Sequence, residues 1–110
     1  MKAKKIRVLR KKPGKWPEFI EIDNELSALQ HEVGGYIETF GIASDLTIIC
    51  NEEGKIHGLP YNCTICGETF VGTILLVGVR GDTFKSVPIT EMGDARLLLP
   101  TLFYDEEADT

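Results

Sequence analysis

The sequence has no apolar run long enough to cross a membrane and no recognisable catalytic motif. Its main apolar runs, 46–50 and 71–79, are far shorter than the roughly 20 residues that a spanning helix needs. No apolar signal core follows the basic N-terminus. A phosphate-binding glycine loop, a G-x-S-x-G elbow and an HExxH pair are also missing. These absences predict a cytosolic protein without membrane contact, and they favour a non-enzymatic role that needs no cofactor.

Cysteine is scarce, and the count of three is odd. Without secretory context, such a count predicts reduced thiols instead of a disulfide framework. Cys63 and Cys66 have the spacing of a zinc knuckle, and Cys50 and His57 could complete a Cys3His set. No second CxxC pair exists, however, and the two added residues precede the knuckle at uneven spacing. We therefore favour a structural interpretation of the cysteines over a zinc site.

Charge is divided between the two ends of the chain. The net charge is -5, yet eight lysines and arginines lie within the first fifteen residues, and residues 105–110 form an acidic tail. A basic arm can contact nucleic-acid phosphates. Apolar residues alternate with these charges, as in a strand at the edge of a sheet, where lysines prevent aggregation. We favour the edge strand, and nucleic acid is not expected as a partner.

The first third of the chain predicts a hairpin and a helix. Residues 3–10 and 18–22 alternate polar and apolar side chains, and two prolines and a glycine between them indicate a turn. Asp23 and Asn24 supply N-cap chemistry for a helix that ends at Gly34. Its apolar residues recur at helical spacing and should pack against a sheet.

The remainder predicts further strands and a final helix. β-branched and aromatic residues indicate strands at 36–40, 46–50, 55–58 and 83–87, while 59–68 is expected to be a loop. Residues 69–79 form a nearly continuous apolar run and are predicted to be the central strand, with Gly72 and Gly78 at bulges or close backbone approaches. Thr90 should cap a helix that is stopped by Pro100.

These patterns together predict an α+β fold in one domain. We expect a small, mainly antiparallel sheet with an N-terminal hairpin, one central helix packed on it and a short C-terminal helix. The domain should span residues 1–104, followed by the acidic tail 105–110. A sheet of this size leaves edges open, so a homodimer through a sheet edge is a further hypothesis.

Polar side chains are concentrated where the middle of the chain turns, at 34–38, 51–55 and 58–62. Loops on a rigid scaffold often carry functional groups. Glycine, proline and asparagine have adequate reasons to be there as turn formers, and Glu52 and Glu53 on a turn need not converge on a metal ion. The aromatic rings can stack on a base or can border the core. The candidate ligand-binding residues are Tyr36, Glu38, Asn51, Glu52, Glu53, Lys55, Tyr61 and Asn62.

Several of these segments resemble a known family. Pro13-Gly14, Val33-Gly34-Gly35, Asn51-Glu52-Glu53-Gly54-Lys55 and Gly58-Leu59-Pro60 are similar to segments of small proteins from bacteriophages and mobile elements of Gram-positive bacteria, classed as a domain of unknown function. The likeness covers residues 12–80. It implies a phage or mobile-element origin but no activity, so no catalytic residue follows from it.

Three hypotheses for the function follow. The first is a cytosolic accessory or anti-defence module that sequesters a small nucleotide-like ligand, with backbone N–H groups near Gly34 and Gly54 and with Lys55 holding an anion. The second is an acidic protein that binds and inhibits a host protein. The third is a metal-dependent hydrolase that uses the carboxylate turn.

Overall fold

The computed structural model describes residues 4–103, so the acidic tail expected at 105–110 lies outside the described residues. It confirms the predicted α+β class, with a mainly antiparallel sheet, a central helix and a C-terminal helix. The strands are β1 (Lys5–Lys11), β2 (Glu18–Asp23), β3 (Ile37–Ala43), β4 (Leu46–Asn51), β5 (Tyr61–Ile65), β6 (Glu68–Val71), β7 (Ile74–Arg80) and β8 (Thr83–Lys85). The helices are α1 (Leu26–Val33), α2 (Met92–Leu98) and a 3-10 turn at Pro100–Phe103.

Among the described strands, six form the main sheet, in the order β2-β1-β7-β4-β3, and β8 pairs with the end of β7. All of these pairings are antiparallel. β5 and β6 form a separate hairpin. The strand predicted to be central is therefore central, although it begins at Ile74 instead of residue 69.

The apolar run 69–79 is divided by Gly72, which adopts a positive φ of 71°. A side chain at this position would also meet Leu59, because an added Cβ would lie 2.7 Å from Leu59 Cδ1. The chain turns here from β6 into β7. The sequence pattern missed this break because both strands are apolar and a single glycine within such a run has several structural meanings.

Each face of the sheet is covered by a different layer. α1 packs on one face over a buried cluster that includes Leu29, Val33 and Val77. The β5–β6 hairpin, α2 and the 3-10 turn pack on the other face, over a cluster that includes Phe70 and Phe103. Residues of β1, β4 and β7 supply both clusters from opposite faces, as the strand period requires.

The basic N-terminal strand is interior, so the prediction of an edge strand is wrong. β1 pairs with both β2 and β7, and Val8 and Leu9 are fully buried. Its cations are used internally: Arg7 donates to the Ile89 carbonyl, and Arg10 forms ion pairs with Glu18 and Glu32. The Glu32 contact ties α1 to the sheet, and it is the main cause that raises the pKa of Arg10. A strand can thus carry many charges and still be central when neighbouring elements supply counterions.

Lys11, at the end of β1, is fully buried, and its Nζ donates to the Lys12 carbonyl at 3.0 Å. This burial could not be predicted from the sequence, because lysine is among the residues that are least often buried.

The structure also corrects several predicted boundaries. Residues 55–58 are part of a turn and not a strand, and residues 59–68 contain β5 instead of a loop. The N-cap position of α1 is Glu25, while the Asn24 side chain donates to the Phe84 carbonyl. Glu91, and not Thr90, is the N-cap position of α2. The predicted C-cap at Gly34 is confirmed, with a φ of 81°.

Gly78 is predicted to be a position where alanine cannot be accommodated. An added Cβ would overlap the Ser86 carbonyl oxygen, and backbone cannot move aside as a flexible side chain can. We expect Gly78→Ala to lower the free energy of unfolding by about 2–3 kcal/mol in urea denaturation, as overpacking does. Gly41→Ala is the control, since its Cβ would meet nothing within 4 Å, and we expect a change of about 0.5 kcal/mol or less. Equal effects of the two changes would contradict this interpretation.

Candidate functional site

A groove of about 200 Å³ lies between the β3–β4 edge of the sheet and strand β6, and we name it the acidic groove. One wall is strands of the main sheet, the other is the β5–β6 hairpin, and the turn after β4 closes one end. Its floor is apolar, while carboxylates lie on its walls. The lining residues are Glu38, Phe40, Cys50, Asn51, Glu52, Lys55, Ile56, Glu68, Thr69, Phe70 and Val71.

Three carboxylates and one amine face this groove. Lys55 Nζ lies 3.2 Å from Glu68 Oε2, so this cation is already paired, although both side chains remain solvent-accessible. Glu38 and Glu52 make no ion pair within residues 4–103. The acidic groove therefore carries two uncompensated negative charges.

Cys50 lies directly opposite Glu38 in the β3–β4 register and is buried. The pKa of its thiol is raised from 9.0 to about 11, mainly by desolvation and also by the charges of Glu38 and Glu68, while Lys55 opposes the shift. The thiol is therefore protonated at neutral pH. Because nucleophilic catalysis by cysteine needs the thiolate, this environment does not activate Cys50.

A second groove, of about 240 Å³, lies on the other side of Asn51, and we name it the polar groove. Tyr36, which is 67% exposed, lines it together with the end of α1. Glu53 and His57 face each other across one turn, with Oε1 and Nε2 separated by 3.6 Å. The polar groove is lined by Gln30, Gly34, Gly35, Tyr36, Asn51, Glu53 and His57.

Asn51 separates the two grooves, and its side chain is occupied by local structure. Its Nδ2 donates to the Val33 carbonyl at 3.2 Å, and its Oδ1 accepts from the Glu53 amide at 2.8 Å. The side chain thus fixes the end of α1 and the turn after β4 at once. Gly35 must be small for this contact, since an added Cβ would lie 2.9 Å from Nδ2.

Asn62 lies outside both grooves and is fully buried. Its Nδ2 donates at 2.7 Å to the carbonyls of Lys11 and Gly72, so it connects β1, β5 and the β6–β7 turn. Its Oδ1 has no hydrogen-bond partner within residues 4–103. A side chain in this position holds the hairpin to the sheet and is not accessible to a ligand.

The remaining aromatic candidates are on the surface. Tyr61 is half exposed, and its hydroxyl lies 3.0 Å from Thr64 Oγ1. Trp16 packs edge-on against Phe103 at 5.3 Å, with the Arg96 guanidinium 5.1 Å from the Trp16 ring. Trp16 thus packs against the C-terminal 3-10 turn.

The four residues of the possible zinc set lie in different surroundings. Cys50 and Cys63 are buried in the core, Cys66 is exposed in the turn of the hairpin, and His57 faces Glu53. All three cysteines are thiols. In the part of the chain that the structure describes, no three histidine, cysteine or acidic side chains are grouped so as to hold a metal ion.

The structure brings six of the eight predicted ligand-binding residues to two adjoining grooves. Glu38, Asn51, Glu52 and Lys55 line the acidic groove, and Tyr36 and Glu53 line the polar groove with Asn51. The proposed set omitted Glu68, Phe40, Ile56 and His57, which line the same grooves. Glu68 reaches the acidic groove on the β5–β6 hairpin, whose first strand lies in a segment that was expected to be a loop.

Comparison with known families matches residues 6–97 to the family described as Domain of unknown function (DUF3846). The chain belongs to the DUF3846 family. This confirms the resemblance at the level of a domain of unknown function, and the phage or mobile-element origin stays a prediction. Comparisons of this DUF3846 chain with curated proteins and with solved structures gave no match. Within residues 4–103, no helix has the length and apolar character to cross a membrane.

Asn62 is predicted to act through stability. Asn62→Ala leaves the buried carbonyls of Lys11 and Gly72 without their donor, and we expect a loss of about 2–3 kcal/mol in the free energy of unfolding. Tyr61→Phe removes an exposed hydroxyl from the neighbouring residue and should change stability by about 0.5 kcal/mol or less. Urea denaturation of both variants measures the difference. An unchanged stability of Asn62→Ala would refute the anchoring role.

The raised pKa of Cys50 predicts a loss of stability at high pH. Its pKa is about 11 in the folded chain and 9.0 ordinarily, so between these values the unfolded chain releases the proton while the folded chain keeps it. The contribution of Cys50 to the free energy of unfolding is therefore fully present below pH 9. It falls by roughly 2–3 kcal/mol as the pH rises from 9 to about 11. Denaturation at several pH values should show a shallower decline for Cys50→Ala than for the unmodified chain. Cys66→Ala, at an exposed position, should keep the full decline.

Proposed function

We propose that this DUF3846 protein is a non-enzymatic binding module whose acidic groove holds a basic segment of a partner protein. The observation that carries this proposal is the pair of uncompensated carboxylates, Glu38 and Glu52, beside the Lys55–Glu68 ion pair. A lysine or arginine from a partner would neutralise one of these two charges and make charge-assisted hydrogen bonds. Apolar side chains below these charges suit the aliphatic stem of such a residue.

The exposed apolar residues near the groove also favour a macromolecular partner. Ile56 is 82% exposed at its rim, and Tyr36 is exposed beside the polar groove. Large side chains of this kind are enriched in protein interfaces, where charged residues form the surrounding rim. The groove itself is smaller than the roughly 300–1,000 Å³ of usual small-molecule pockets, which suits one side chain better than a whole nucleotide.

The hypothesis of a nucleotide-like ligand gains less support from the same geometry. The amides of Gly34 and Gly35 donate to the Gln30 carbonyl, and the Gly54 amide donates to the backbone carbonyl of Asn51. Lys55 is paired with Glu68, so the donors expected for an anion are already engaged. A phosphate would also meet Glu38 and Glu52, and this repulsion disfavours it.

The hypothesis of a metal-dependent hydrolase requires oxygen ligands that converge on one ion. The carboxylates of the acidic groove are not grouped in that way within residues 4–103.

The resemblance to phage and mobile-element proteins supports a host protein as the partner, and it supports a cytosolic location. An accessory or anti-defence role would follow from the identity of that protein.

The binding proposal predicts that Glu38 and Glu52 are required for affinity. We expect an array of lysine- and arginine-containing peptides to identify binders, and the double change Glu38→Gln with Glu52→Gln to weaken their binding about tenfold or more. Affinity for the unmodified chain should also fall as salt is added, since exposed charges are screened. Fluorescence anisotropy with the selected peptides measures both effects.

Glu21→Gln is the matched control, because Glu21 is an exposed carboxylate on β2, at the opposite edge of the sheet. It should leave affinity within about twofold, as a distant surface charge does. Equal losses in the control and the double variant would show only general attraction to an acidic protein. Thermal stabilisation by mononucleotides without any peptide binding would overturn the proposal in favour of the nucleotide hypothesis.

A further inference from the structure

The edge of the sheet beside the acidic groove is open. β3 is seven residues long and, among the described strands, pairs only with β4. An open edge presents a row of backbone N–H and C=O groups that another extended chain can pair with. The length of β3 is sufficient for such pairing.

The hydrogen-bond pattern identifies which groups of β3 point outward. In the β3–β4 register Ile37 is opposite Asn51, so Tyr36 is opposite Glu52. The Glu52 amide donates to the Tyr36 carbonyl, which makes Tyr36 and Glu52 a hydrogen-bonded pair. Antiparallel pairs alternate between bonded and non-bonded types. The backbone groups of Glu38 therefore face β4, and those of Ile37 and Thr39 face away from the sheet.

The side chains of β3 connect two different grooves on one face of the sheet. Glu38 and Phe40 line the acidic groove, and Ile42 lines a third groove of about 390 Å³, which we name the apolar groove. Leu98 lines that groove and is 66% exposed. The apolar groove is lined by Ile42, Ala43, Asp45, Leu46, Cys66, Pro88, Ile89, Leu98 and Leu99.

We propose that β3 is a strand-addition site for an extended segment of a partner protein, with a basic side chain directed to the acidic groove and an aliphatic one to the apolar groove. This rests on the proposed function and deepens it. Glu38 and Ile42 are four residues apart on one face, about 13 Å along a strand. The partner segment therefore carries its basic and aliphatic residues at positions i and i+4. Main-chain pairing supplies affinity, and the two grooves supply specificity.

Charge argues for a different protein instead of a second copy of this chain. The two strands at the ends of the main sheet, β2 and β3, contain acidic residues and no lysine or arginine. A copy paired through either strand would bring no cation of that strand to Glu38 and Glu52. The basic strand β1 is interior and cannot pair with another chain.

The test uses synthetic peptides of roughly nine residues that contain lysine and, four residues along, leucine, in both orders, because strand addition can run in either direction. Titration into ¹⁵N-labelled protein should shift the amides of Ile37 and Thr39 for at least one order. Two N-methylated forms of the binding peptide are then compared. Methylation of the amides that face β3 should abolish binding, and methylation of the alternate amides, which face away from β3, should leave binding unchanged. Replacing its leucine with serine should weaken binding about tenfold.

Thr39→Pro removes one outward N–H and leaves the bonds to β4 intact, as proline does on an edge strand. We expect it to weaken peptide binding at least about tenfold. Glu21→Pro is the matched control: the Asn24 to Lys4 bond places the Glu21 amide outward on β2, so affinity should stay within about twofold.

The outcomes separate this inference from the proposed function. Binding that needs Glu38 and Glu52 but tolerates Thr39→Pro and every N-methylated peptide would refute strand addition and leave the acidic groove as the site. Failure of all basic peptides to bind would refute both. If Thr39→Pro does not fold, the N-methylated peptides still decide, since they are measured on the unmodified chain. Dimers that disappear on Thr39→Pro would indicate a second copy at β3 and overturn the choice of partner.

Discussion

Four consecutive side chains of β7, Ile74 to Val77, are fully buried, and they alternate between the two faces of the sheet. Each buried aliphatic side chain of this size contributes about 1.5–3 kcal/mol. β7 also pairs with β4 on one side and with β1 and β8 on the other. The two covering layers therefore rest on the same strand. The grooves at the far edge keep their geometry because β4, which carries Cys50 and Asn51, is held in register by β7.

The sequence was sufficient for features that depend on one local signal. The hairpin, α1 with its left-handed end at Gly34 and the central position of β7 follow from alternation, cap chemistry and an apolar run. It was insufficient where the position of a strand depends on residues far away in the sequence. The charges of β1 suggested an edge, but Glu18 and Glu32 neutralise Arg10 in the interior. The β5–β6 hairpin was missed because Asn62, which is typical of a loop, is buried and paired with the Lys11 carbonyl far away in sequence.

The candidate site shows the same division. Turn-forming residues marked the segments that meet at the two grooves, so six of the eight proposed residues are found there. Composition could not separate a side chain that shapes a turn from one that faces solvent. Asn51 and Asn62 look alike in sequence, yet one joins α1 to a turn and the other is inside the protein. Glu68 completes the acidic groove because β6, which ends before Gly72, lies beside residues of β3 and β4.

The two walls of the acidic groove belong to structural units of unequal local stability. β3 and β4 are part of a six-stranded sheet, whereas β6 pairs only with β5 among the described strands. Small hairpins open at a lower free energy than a central sheet does, so the hairpin is the wall that sets the lifetime of the groove. A partner that contacts both walls must therefore slow amide exchange in β5 and β6 more than in β7. Occupancy of the groove would then be detected as slower local opening of the hairpin.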